Sequence, residues 1–357
     1  MSNSLCTVIL AAGEGTRMRS PRPKPLHLIC GRPMAHHVMV ATTSPESVAT
    51  VVVVGHEALW VEKVLRESDS EVTRLFFAEQ REQLGTGHAV MAALSVVDEV
   101  MPDRDGDVII VPGDTPLLTR STVAALVAQH RVRSAALTVL TARVANPSGY
   151  GRIVRGRDGK VAKIVEQRDA SAEEQAIDEI NTGIMVVRHS MLGPALRLVG
   201  RQNSQNEYYL TDLVDVLYRG GHVTAACEIA DAAEAAGVND REQLASAESV
   251  MRQRINAQWL RAGVTMWDPN TTYIDSDVQL AADVTLWPGT VLRGRTTVAA
   301  GADLGPNALV DNSEVGPRSR IESATVLGAT VGADCHVGSY VRLDVGTVLA
   351  DGTRVLA

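Results

Sequence analysis

Residues 7–18 read Thr-Val-Ile-Leu-Ala-Ala-Gly-Glu-Gly-Thr-Arg-Met. The run 7–10 is apolar and largely β-branched, which suits a buried strand, and it passes directly into the glycine pair Gly13 and Gly15. A strand that feeds a Gly-x-Gly turn and then a helix lets backbone N–H groups approach phosphate oxygens, and the helix start adds positive potential. The same glycines also suit a plain strand-to-helix turn. Met18 stands where the third glycine of a dinucleotide-binding fingerprint belongs, and no Gly-Lys-Ser/Thr of a P-loop occurs in the chain.

The pattern of this segment repeats downstream. Residues 51–54 and 108–111 read as further buried strands, and 34–41, 58–65, 88–94 and 121–130 read as helices. This alternation over residues 1–240 predicts an α/β domain with a mostly parallel sheet. Residues 241–262 form one charged amphipathic pattern, with Met251, Ile255 and Trp259 on one stripe and Gly263 as a stop, so 241–266 reads as a connecting helix.

From 267 to 357 the helical signal gives way to aliphatic residues at steps of five or six: Val298, Leu304, Val310, Val315, Ile321, Val326, Val331, Val337, Leu343, Leu349 and Val355. Gly, Asp and Asn fill the intervals, as turns between short strands require. Such a register predicts a β-solenoid of hexapeptide repeats. Repeats of this kind assemble side by side, so a homo-oligomer, a trimer through the solenoid, is expected.

Length and composition bound the function. The 357 residues, 45% hydrophobic, are enough for two or three domains. The formal net charge of -8 argues against a broad grip on nucleic acid or an anionic membrane, and no apolar run approaches a membrane span. Cys6, Cys30, Cys227 and Cys335 lie far apart without zinc or disulfide-framework spacing, which fits free thiols in a cytoplasmic protein. His36 and His37 show no metal or triad spacing, and Trp259 and Trp267 are expected to pack the connector.

Two cations follow the glycine loop: Arg17, and Lys24 in Arg22-Pro-Lys-Pro-Leu26, whose prolines fix an extended backbone. A triphosphate needs such cations. The strand 107–111 ends in Pro112-Gly-Asp114, where α/β sheets bind ligands; Asp114 is either a hard oxygen ligand for magnesium or a cap of the next turn.

To these are added, in one order, Pro23-Lys24-x-Leu26-His27, Gln83-Leu-Gly-Thr-Gly-His-Ala89, Gly149-Tyr-Gly-Arg-Ile153, Ile164-Val-Glu166, Glu179-Ile-Asn181-Thr-Gly183, Glu207-Tyr-Tyr-Leu-Thr-Asp212 and Gly237-Val-Asn239. Together they resemble the uridylyltransferase half of the bacterial bifunctional N-acetylglucosamine-1-phosphate uridylyltransferase/glucosamine-1-phosphate acetyltransferases. The resemblance covers about 240 residues, and the helix and solenoid resemble the middle of those enzymes and the start of their second half. It implies a Rossmann-like, GT-A-like nucleotidyltransferase domain with a mostly parallel mixed sheet, followed by a short left-handed β-helix.

The resemblance further implies Mg²⁺-dependent joining of a nucleoside triphosphate to a sugar-1-phosphate with release of pyrophosphate. Arg17, Lys24 and Asp114 match the catalytic positions, and Asp114 with Asn239 the metal ligands. Ala12, Gly13, Gly15, Gln80, Gly85 and Thr86 match the nucleotide site, with Gln80 and backbone groups on the uracil edge. Gly151, Glu166, Asn181, Tyr209 and Thr211 match the sugar pocket.

The sequence also departs from its relatives. Where they carry Leu-Arg-Pro-Gly, this chain reads Leu343-Asp-Val-Gly346, and a carboxylate there repels a sugar phosphate, so a monofunctional enzyme without acetyltransferase activity is expected. Pro25, Arg81, Pro112 and Asp240 are further departures that leave the sugar and base open. UTP with N-acetylglucosamine-1-phosphate is the first expectation; a specialised enzyme for another sugar or a cyclitol phosphate, such as valienol-1-phosphate with GTP, is the alternative. A non-catalytic regulatory or scaffold relative is disfavoured because the loop cations and Asp114 are all present, and an oxidoreductase because the third glycine is absent.

Overall fold

A computed structural model describes residues 4–68 and 74–356. The chain divides into two compact units, Met1–His27 with Pro33–Gln243, and Leu28–Arg32 with Leu244–Ala357.

The first unit is built on a nine-stranded sheet. Its strands are β1 (Leu5–Leu10), β2 (Ser47–Val54), β3 (Leu75–Glu79), β4 (Asp107–Pro112), β5 (Leu137–Arg143), β6 (Arg152–Arg155), β7 (Val161–Val165), β8 (Glu179–Arg188) and β9 (Thr224–Glu228). The order is β9-β5-β8-β4-β1-β2-β3, with the β6–β7 hairpin joined to β8. All pairs from β4 to β3 are parallel, β8 is antiparallel to both β4 and β5, and β9 is parallel to β5. The sheet is therefore mixed and mostly parallel, as the alternating pattern predicts.

The helices Met34–Thr42, Ala58–Ser68, Thr86–Val100 and Arg120–Val132 cover the four stretches read as helical; the first is longer by a single residue, and the third runs past the expected 88–94 at both ends. Both faces of the sheet bury apolar side chains. Val8, Val51, Val53, Val108 and Ile110 share one core, while Ile9, Val52, Ile109 and Val111 share the other. A strand covered on both faces loses its alternation, which is why these runs read as continuous apolar segments. In register, Leu10 pairs with Val53 on one side and Pro112 on the other, so three adjacent strands end together.

The second unit contains most of the helix Arg241–Arg261 and a left-handed β-helix of three parallel sheets with six, five and five strands. Each sheet takes every third strand of the chain. All eleven positions of the aliphatic register lie in these strands; the nine from Val298 to Leu343 are buried, and Leu349 and Val355 are partly so. Short polar residues at the corners adopt positive φ, among them Asn307 (54°), Asn312 (47°) and Asp334 (56°), which Asn and Asp tolerate better than other side chains.

Trp259 packs on this core, but Trp267 does not pack a connector. It is 63% exposed and stacks on Trp287 at 5.1 Å, because it follows the inward Met266 and alternation turns it outward. Among the described residues no helix is long and apolar enough to cross a membrane.

Candidate functional site

The common end of β3, β2, β1 and β4 in the first unit opens on a cleft of about 440 Å³. Parallel strands deliver their following loops to one edge, and this is where open α/β sheets bind ligands. Gly113 N–H donates to Leu10 O (2.9 Å) and Gln80 N–H to Val54 O (2.8 Å), so the segments beyond the strands start from pinned positions.

The glycine loop lies along one wall. A Cβ on Gly13 would meet no atom within 4 Å and would stand in open space. Packing does not explain that glycine; room for a close ligand does. Gly15 differs: its φ is 63° and a Cβ there would lie 2.6 Å from Lys24 Cβ, so only glycine lets the loop close on the lysine. Gln83 Nε2 donates to Ala12 O (2.7 Å) and braces the loop. This contact joins two motifs that the sequence shows separately, and neither predicts it.

Four side chains from distant parts of the chain meet beside the loop. The Lys24 ammonium donates to Asp114 Oδ2 and to Asn239 Oδ1 (2.8 Å), and Arg17 Nη2 donates to the same Asn239 oxygen (3.0 Å). Asn239 is held by a reciprocal cap at the start of the helix Arg241–Arg261. Its N–H donates to Gln243 Oε1 (2.7 Å), while Gln243 N–H donates to Asp240 Oδ1 (2.8 Å). Asp240 thus has a structural reason to be acidic. One carboxylate and one amide oxygen converge on a single cationic centre, the hard-donor chemistry that also suits a divalent cation. Among the described residues no group of three or more His, Cys, Asp and Glu could hold a metal, so a cation here would complete its shell with ligand or water oxygens.

Gln80 is only 3% exposed, and its Nε2 donates to Gly85 O (3.0 Å). Its Oε1 is therefore the atom left to accept from a ligand N–H. Gly85 has φ 102°, and a Cβ there would lie 2.7 Å from Tyr208 O. Thr86 opens the helix Thr86–Val100, and its hydroxyl accepts from Leu210 N–H (3.1 Å).

The opposite wall carries Glu166, Asn181 and Thr211. Thr211 Oγ1 donates to Glu166 Oε1 (3.2 Å), and Asn181 Oδ1 accepts from Gly183 N–H (3.0 Å) at an irregularity in β8. Burial pushes the Glu166 carboxyl above the ordinary range against the opposing Thr211 bond, and Asp212 and Asp169 add to the rise. Gly151 lies behind this wall, where a Cβ would come 3.0 Å from Ile164 Cγ2 and 3.5 Å from Glu166 Oε1.

Ala12, Gly13, Lys24, Gln80, Gly85, Thr86, Asp114, Glu166, Asn181 and Thr211 line the cleft. Tyr209 is not in its lining; the hydroxyl accepts from Gln205 Nε2 (2.8 Å) and donates to Asp169 (3.4 Å). Pro25 and Pro112 line the cleft, whereas Arg81 projects to solvent beside Glu79. In the second unit, Asp344 lies on an exposed turn and accepts from Arg342 Nε (2.7 Å).

Residues 7–172 match the MobA-like NTP transferase domain. Over 98% of its length the chain is 44% identical to the bifunctional protein GlmU of Exiguobacterium sibiricum, spanning 75% of that protein. Identity is 46% to the GlmU of Trichlorobacter lovleyi (98% of this chain, 74% of that one) and 44% to that of Streptomyces avermitilis (98% and 71%). A crystal structure of a UDP-glucose pyrophosphorylase complexed with UDP-glucose superposes with a TM-score of 0.56 at 16% identity, covering 71% of this chain and 99% of that one, which is a likeness of fold.

Proposed function

This chain belongs to the GlmU family and is a sugar-1-phosphate nucleotidylyltransferase, and from that premise we propose that it joins UTP to N-acetylglucosamine-1-phosphate. The observation that carries the reading is the meeting of Arg17, Lys24, Asp114 and Asn239 beside a glycine that leaves its side of the cleft open.

In this reading a phosphate oxygen of the sugar-1-phosphate attacks the α-phosphorus of UTP. One P–O bond forms, the bond from the α-phosphorus to the oxygen bridging the β-phosphorus breaks, and pyrophosphate departs with that oxygen. No covalent enzyme intermediate is needed, so the protein acts by alignment and charge stabilisation. Ala12, Gly13 and Gly15 bring backbone N–H groups to the nucleotide. Lys24 and Arg17 neutralise phosphoryl charge as it shifts to the leaving group. Asp114 and Asn239 would hold a divalent cation, Mg²⁺ in this proposal, whose charge counters that of the triphosphate.

Gln80 Oε1 and the backbone at Gly85 and Thr86 read the base. Uracil offers an N3–H to that acceptor and cytosine does not. Guanine offers N1–H, so GTP with a cyclitol phosphate such as valienol-1-phosphate is the second reading. Glu166, Asn181, Thr211 and Gly151 form the sugar wall, with Tyr209 acting through Asp169 and Gln205. The four free thiols are compatible with a cytoplasmic protein, and assembly of the β-helix into a homotrimer is part of this proposal. We also assign no acetyl transfer to the chain, since the Asp344–Arg342 pair occupies the turn where the sequence departs from its relatives.

The test is pyrophosphate release across four nucleoside triphosphates and a panel of sugar-1-phosphates and valienol-1-phosphate with Mg²⁺. The largest kcat/KM is expected for UTP with N-acetylglucosamine-1-phosphate. A larger value for GTP with the cyclitol transfers the assignment to the second reading, and silence with every pair overturns both.

A further inference from the structure

Asp114 and Asn239 already serve a cation: the Lys24 ammonium lies between their oxygens, and Arg17 shares the Asn239 oxygen. The charged groups joined by these contacts sum to one carboxylate against two cations. A divalent ion added to them alone would set four positive charges against one negative. A triphosphate reverses that balance.

The lysine is built so that only its tip need move. Pro23 and Pro25 flank it, it opens a short 3-10 turn (Lys24–Leu26), and Gly15 closes against its Cβ, while the ammonium beyond is held by the side-chain oxygens of Asp114 and Asn239. Its side chain is 15% exposed and that of Asp114 23%, so these charges are weakly screened and exclude one another at short range.

We propose that the Lys24 ammonium and the divalent cation are alternative occupants of the Asp114–Asn239 oxygen pair. The free protein keeps its lysine there and takes up metal only when a triphosphate draws the lysine onto its phosphates. Lys24 thereby couples metal binding to nucleotide binding, besides acting on the transferred group. This rests on the reading of Asp114 and Asn239 as the metal-binding oxygens.

The test uses the full chain with Mn²⁺ as probe, following the free-ion signal by electron paramagnetic resonance, with and without a non-hydrolysable UTP analogue. Wild-type protein should bind Mn²⁺ weakly alone and about 10-fold or more tightly with the analogue, after correction for the Mn²⁺–nucleotide complex, within the usual range of coupling between sites. Lys24→Met and Lys24→Gln, checked for fold by circular dichroism, should bind Mn²⁺ about 10-fold more tightly than wild type without nucleotide, and their coupling should shrink accordingly. If both bind the ion no better than wild type while Asp114→Asn abolishes binding, the exclusion is wrong and the ligand assignment stands. If Asp114→Asn leaves Mn²⁺ binding intact, the ligand assignment itself fails.

Discussion

The two units put the same residue types to opposite uses. In the β-helix, glycine, aspartate and asparagine turn corners at positive φ, and each aliphatic position repeats the environment of the one a coil earlier. In the nucleotidyltransferase unit, Gly13 leaves a cleft open, Asp114 faces a cation, and no two positions of the site are equivalent. A repetitive unit spreads its stability over many similar contacts, whereas a site concentrates its chemistry in a few atoms. Damage to the first should register as melting, and damage to the second as lost turnover with the fold intact.

The largest expected effect is that of Asp114→Ala. Turnover should fall by about 10³-fold or more, as for loss of a principal electrostatic contact in group transfer, with circular dichroism and melting unchanged. A variant that melts early would blur the contrast. In the other unit, Leu304→Ala removes a fully buried side chain from the β-helix core and should cost about 2–5 kcal/mol in denaturant unfolding, while kcat/KM at 25 °C stays near wild type. A parallel loss of turnover there would break the division of labour.

Gly85→Ala tests a residue belonging to both categories. Its φ of 102° and the nearby Tyr208 carbonyl predict strain of about 1–3 kcal/mol, read as lower melting together with a raised KM for the nucleotide. The smallest effect is expected of Glu166→Gln. Because the Glu166 carboxyl is raised in the folded chain, its neutral form is favoured there, and the associated stability is present at low pH and lost as pH rises through that raised value. The glutamine variant should therefore melt higher than wild type at neutral pH and match it in acid. Sugar-phosphate KM should rise. Equal gains at all pH values would show that the charge is not the cause.

The sequence made these units unequally legible. A β-helix repeats its environment at a fixed step, so Val298 to Leu343 could be assigned by spacing alone. The strand ends at Leu10 and Pro112 were legible because apolar runs stop at glycine, and adjacent parallel strands then bring Gly13 and Asp114 to one edge. The bond between Lys24 and Asp114 was not legible, since it joins residues ninety positions apart through a sheet register that no local pattern encodes. Nor was the aim of Tyr209, whose motif identifies the residue while Asp169 and Gln205 set its direction. Gln83 was hidden differently: it stands inside a quoted motif, yet its work is on the carbonyl of another.

The reciprocal cap of Asn239, Asp240 and Gln243 makes a helix terminus part of the cation site. Helix ends fray at temperatures where the rest of a domain is still intact. When this first turn opens, Asn239 loses its bearing on Lys24 and Arg17 while the sheet remains whole. Heat should therefore silence the enzyme before it unfolds it, and the gap between those two temperatures is written in a single turn of backbone.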